Sequence, residues 1–155
     1  MMDFATLRTR GQIEPRRQAV QKFLKANETL KVAVSRQEND LEAELRSRQI
    51  PAGIRNDMLA GFHKSRSAVL AKVMEIRDCD VKFCQTILKL LDLADSEWGR
   101  WRYDAVQGKV VFNGNGSAET FNQLNKLIEA ISKKEIQLQG EVVKLQTQMA
   151  GARRG

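Results

Sequence analysis

The chain has 155 residues, with 26 Lys and Arg against 19 Asp and Glu, a net charge of +7, and only two Pro and two Cys. That length suits one domain with its own core, and two cysteines make no disulfide framework. No run of about 20 uncharged apolar residues supplies a membrane span.

Aromatics are sparse, while Leu, Lys, Glu, Gln, Arg and Ala are plentiful. These residues lose little rotamer freedom in a helix, so the composition predicts an all-α fold. The opening MMDFATLRTRGQIEPRR lacks the apolar centre of a secretory signal. A reducing, cytoplasmic setting is the expectation.

Residues 1–14 read as an N-terminal arm or short helix interrupted at Gly11. Arg8, Arg10, Arg16 and Arg17 make this entry distinctly positive, whereas the remaining charge is spread evenly with mixed signs. Pro15 suits the first turn of a helix over 15–48, where its missing N–H costs nothing. The apolar seats of that helix are Val20, Phe23, Leu24, Leu30, Val34, Leu41 and Leu45. Ala19, Ala26 and Ala33 recur beside them, and Asn27 falls on the stripe, as a buried register device or at the helix flank.

Gln49-Ile50-Pro51-Ala52-Gly53 is a break, with Ile50 biased out of the helical region by the proline and Gly53 relaxing the backbone. A turn this short folds the next helix, 54–98, back antiparallel. Phe62, Val69, Ile76, Phe83 and Leu90 are spaced by seven, and Leu59, Val73, Ile87 and Ala94 fill the companion seats. Leu70, Met74, Leu88 and Leu91 widen the face enough to meet more than one helix. Asp80 falls in the seam, where a carboxylate must pair or protonate.

Gly99 reads as the helix stop. Aromatic and β-branched residues on either side of Gln107-Gly108 predict a small β-hairpin over 101–112. Asn113-Gly114-Asn115-Gly116 is then a flexible return, and Ser117 caps a third helix over 117–150.

That third helix carries the strongest signal in the chain. Alternate steps of three and four land on Phe121, Leu124, Ile128, Ile131, Glu135, Leu138, Val142, Leu145 and Met149, so that eight of nine seats are apolar. Such a seam marks a helix that packs along its whole length. Leu127, Ile136 and Val143 lie outside it. At 1.5 Å per residue the three helices would span roughly 50 to 65 Å, giving an elongated antiparallel three-helix bundle. Its narrow core would leave apolar surface for a further partner.

Catalytic chemistry finds no foothold. His63 is the only histidine, and on one straight helix it lies at least about 24 Å from Cys79. A metal site or a Cys–His nucleophile pair is therefore not expected, nor is a cofactor. Asn113-Gly114-Asn115-Gly116-Ser117 lacks the lysine of a phosphate loop.

The tip after the second helix is more informative. Trp98, Arg100, Trp101, Arg102 and Tyr103, joined by Lys109, are of the aromatic and basic types that dominate interface hot spots and also grip single-stranded nucleic acid. A simpler role is structural, with Trp98, Trp101, Tyr103 and Phe112 stoppering the bundle.

The sequence thus predicts a non-enzymatic assembly or adaptor protein. Its partners would be proteins, in a homo-oligomer or a larger complex. The alternative is a basic accessory protein that binds nucleic acid through the tip and the arginines of the arm. An acidic membrane surface is a third option, which the even charge spread disfavours.

Overall fold

The computed structural model describes residues 4–151; Met1, Met2, Asp3 and the four residues after Gly151 lie outside them. Three helices, α1 (Ile13–Ser47), α2 (Ala52–Ser96) and α3 (Asn115–Gly151), pack against each other. A two-stranded antiparallel hairpin, β1 (Trp101–Asp104) and β2 (Lys109–Phe112), stands between α2 and α3. The helical bundle and the hairpin are the fold expected from the sequence. Each helix contributes to two compact units, one joining residues up to Ala26 with Asp80–Lys133, the other joining Asn27–Cys79 with residues from Lys134 onward.

The first unit holds the larger apolar core. Ile87, Leu90, Leu91 and Ala94 of α2 and Ile128 of α3 are buried there, with Phe83, Phe121 and Leu124 packed at the margin. Leu91 and Ala94 are fully inaccessible, so the widened face of α2 does meet more than one neighbour. Burying a leucine this way contributes about 1.5 to 3 kcal/mol.

Of the arm or short helix expected over 1–14, residues 4–12 form short helical turns packed on the core rather than a frayed arm. Phe4, Leu7 and Ile13 belong to this core, and α1 begins at Ile13 rather than Pro15. Two 3-10 turns, Phe4–Thr6 and Arg10–Gln12, fold the segment inward. The Gln12 carboxamide oxygen accepts the backbone N–H groups of Arg8 (2.7 Å) and Thr9 (3.1 Å), which fixes the entry to α1.

In the second unit the buried apolar residues are Leu45, Val69, Ile76, Cys79 and Leu138. Asn27 is fully buried, and its side-chain oxygen accepts a hydrogen bond from the Arg77 guanidinium at 2.9 Å. Lys31 pairs with Asp78 at 2.5 Å. Lys72 bridges Glu75 (3.1 Å) and Glu141 (3.0 Å), tying α2 to α3.

The turn between α1 and α2 departs from its expected form. Gln49, not a glycine, takes the left-handed conformation at φ 56°, while Gly53 lies inside α2. The Gln49 N–H bonds the Arg46 carbonyl at 2.9 Å and the Ile50 N–H bonds the Leu45 carbonyl at 3.1 Å, the paired bonds of a Schellman cap.

Asn115 and Gly116 likewise form the first turn of α3, so Ser117 is inside the helix and not its cap. Gly114 takes that place, its carbonyl accepting the Ala118 N–H at 3.2 Å. The first N–H groups of a helix need no intrahelical partner, so Gly and Asn are tolerated there.

Candidate interaction surfaces

The tip belongs to the first unit and is built from α2's end outward. Gly99, at φ 82°, releases the chain from the helix and turns it into β1. The Trp101 ring then folds back, its Nε1 donating to the Ala94 carbonyl at 2.9 Å. Trp101 meets Trp98 and Phe4 edge-on, with centroids 5.4 and 5.5 Å apart. Phe4 meets Phe121 at 5.1 Å, and Phe112 meets Phe121 at 5.4 Å. Trp98, Trp101 and Phe112 are only partly exposed, so these aromatics close the apolar core. Tyr103 is more open, at 37% exposure.

The register pairs Trp101 with Phe112, Arg102 with Val111, Tyr103 with Val110 and Asp104 with Lys109. Side chains alternate across a strand, which places Trp101, Tyr103, Val110 and Phe112 on one face and Arg102 on the other. Val110 and Trp101 pack on the core, so Arg102 is directed away from it. The loop is longer than Gln107-Gly108 alone. The Asp104 carboxylate caps it by accepting the Val106 and Gln107 N–H groups, each at 3.0 Å.

The sequence-derived cations separate into two groups. Arg10 pairs with Asp95 at 2.6 Å, and Arg17 pairs with Asp92 at 2.5 Å and reaches Glu14 and Asp95. Arg16 donates to the Thr6 hydroxyl at 2.7 Å. Much of the arm's positive field is thereby offset by α2 carboxylates.

Arg8, Arg102 and Lys109 are exposed, and the Arg100 side chain is 73% exposed although 3.9 Å from Glu97. A cleft of about 510 Å³ brings Arg8 and Arg102 together over Leu7, Trp98 and Trp101. A second cleft of about 670 Å³ runs between Lys109 and Phe112 on β2 and Phe121 and Glu129 on α3.

Along α3, Ile128, Ile131 and Leu138 are buried and Phe121, Leu124, Val142, Leu145 and Met149 are half-buried. Outside the seam Leu127 is 47%, Ile136 69% and Val143 60% exposed. Gly140 lies between the last two, so Ile136, Gly140, Val143 and Thr147 form a second line at 4-3-4 spacing. A side chain built at Gly140 would meet nothing within 4 Å. On α1 the structure departs from the expected stripe, because Phe23 and Leu30 are 52% and 49% exposed. Three helices leave that edge of α1 only partly covered.

Among the described residues no three His, Cys, Asp or Glu side chains converge in a way that could hold a metal ion. His63 is exposed, whereas Cys79 and Cys84 are buried thiols outside any disulfide among the described residues. Burial pushes the Cys84 thiol pKa up, and the Asp80 carboxylate adds to the rise. Asp80 itself is 8% exposed. Among the described residues no helix is long and apolar enough to cross a membrane. Comparison of the chain with protein-family models, curated proteins and solved structures found no match.

Proposed function

We propose that this chain is a non-enzymatic assembly or adaptor protein, which joins protein partners by helix packing and by its aromatic, basic tip. The supporting observation is the line of Ile136, Gly140, Val143 and Thr147 on α3. An exposed glycine inside a helix costs about 1 kcal/mol relative to alanine, and no packing within the described chain repays it. Between two exposed β-branched residues, such a seat lets another helix approach closely. The buried, reduced thiols suit a reducing compartment such as the cytoplasm.

Sedimentation of the full chain tests the reading. A self-assembled form has a mass above 17.6 kDa. Ile136→Asp with Val143→Asp should dissociate it while helicity is kept, since both side chains already face solvent. A parent that is monomeric at every concentration and captures no protein from its native source would refute the proposal.

The exposed Arg8, Arg100, Arg102 and Lys109 favour a second reading, nucleic-acid binding at the tip. It requires affinity for an oligonucleotide that falls steeply as salt rises. Against it, Trp98 and Trp101 are packed edge-on against one another and offer poor platforms for base stacking.

A further inference from the structure

Among the described residues the sheet has two strands, and no strand pairs with the outer edge of β1. The Asn113 N–H bonds the Arg100 carbonyl at 2.8 Å, which extends the ladder by one hydrogen-bonded pair beyond Trp101 and Phe112. Hydrogen-bonded and non-hydrogen-bonded pairs alternate in an antiparallel ladder. Arg102 and Asp104 therefore bond toward β2, and Trp101 and Tyr103 present their backbone N–H and C=O groups to the opposite edge. Along that edge lies the cleft of about 510 Å³, with Leu7, Trp98 and Trp101 in its apolar wall. Arg8 and Arg102 also line it, and among the described residues no carboxylate does.

We propose that this edge is a docking site for an extended acidic segment of a partner protein, which adds to the sheet as a third strand beside β1. The inference rests on reading the tip as a protein-docking end. Main-chain bonds to Trp101 and Tyr103 supply register, and alternate side chains supply selectivity. Partner side chains beside Trp101 and Tyr103 turn inward, onto the apolar wall. Those beside Arg102 turn outward, where a carboxylate forms a favourable cross-strand pair. The sequence preferred is thus an alternation of acidic and apolar residues. Arg102 also disfavours edge-to-edge pairing of two copies, because like charges would face each other.

Both tryptophans of the chain, Trp98 and Trp101, line this cleft, so intrinsic fluorescence reads the site directly. The probe is an eight-residue peptide alternating Glu and Val, titrated into the full chain. A saturable change in emission is expected. Arg8→Glu with Arg102→Glu should weaken it at least tenfold, as should Pro in the centre of the peptide, which removes a ladder donor. Circular dichroism checks the fold of the double variant, and Arg102→Ala, expected to weaken binding severalfold, serves if that variant does not fold.

No saturable change, or equal binding of a Lys-Val peptide, overturns the inference. Tighter binding of oligo-dT than of the Glu-Val peptide overturns it in favour of nucleic acid. Loss of the peptide signal alongside assembly still abolished by the Ile136 and Val143 changes would remove this site and leave the assembly reading standing.

Discussion

Phe4→Ala probes how firmly the first described residues belong to the core. Phe4 is 6% exposed and makes edge-on contacts with Trp101 and Phe121. Burial is worth about 1.5 to 3 kcal/mol, and each ring contact adds about 0.5 to 1.5 kcal/mol. The sum agrees with the ~3–5 kcal/mol cost of truncating a buried Phe. We take the lower end of that range, about 3 kcal/mol. For a chain of this size each kcal/mol moves Tm by about 2 to 4 °C, giving a fall of about 6 to 12 °C. Thermal melts followed at 222 nm measure it, and Trp emission should shift red as Trp101 loses a neighbour. Phe4→Leu keeps most of the apolar area and should lose about half as much. A Phe4→Ala protein melting within about 1 °C of the parent, with unshifted emission, would refute the docking of this segment.

Gly140→Ala should raise the Tm of the dissociated chain, because it adds about 1 kcal/mol of helix propensity, and should weaken assembly in sedimentation. Gln49→Gly should stabilise by about 0.5 to 1 kcal/mol, measured by urea denaturation, since glycine takes the left-handed cap without steric cost. Asn27→Ala should destabilise by about 1 to 3 kcal/mol in the same assay, because it removes a buried acceptor of Arg77.

For Cys84 the unfolded thiol ionises near its ordinary value of 9.0 while the folded thiol stays protonated. The unfolded state then holds fewer protons, so stability should fall as pH rises past that value. Cys84→Ala should flatten this part of the curve. Glu141 titrates in the other direction. Hydrogen bonds from Gln137 and then Lys72 lower its pKa below 4.5, so its contribution is present above that value and is lost as pH falls through the depressed one. Glu141→Gln should reduce the acid-side slope of stability against pH.

The α3 seam was legible because its 3-4 period runs without a break, and burial follows it at Ile128, Ile131 and Leu138. Leu127, Ile136 and Val143 fall off that period, and all three are exposed. The entry segment was not legible, since two 3-10 turns and Gly11 break the helical period that would have tied Phe4 and Leu7 to Ile13. Only the 3-step spacing of Phe4 and Leu7 hinted at a shared face.

Glycine misled in both directions. Gly53 and Gly116 have the chemistry of helix breakers but fall in first helical turns, while the left-handed cap falls to Gln49. At the tip the cluster of aromatics and arginines could be read from composition. The pairing of Arg17 with Asp92, 75 residues away, has no local signature and could not be. The open β1 edge depends on which carbonyl Asn113 bonds, a detail no sequence pattern specifies.

The contact between Phe4 and Phe121 has a consequence for how the protein is made. At about 5 to 20 residues per second, a ribosome needs roughly 6 to 23 s to travel from one ring to the other. During that interval Phe4, Leu7 and Ile13 emerge with no α3 to receive them. The edge-on contact therefore forms only after α3 has been made, however early the entry segment leaves the ribosome.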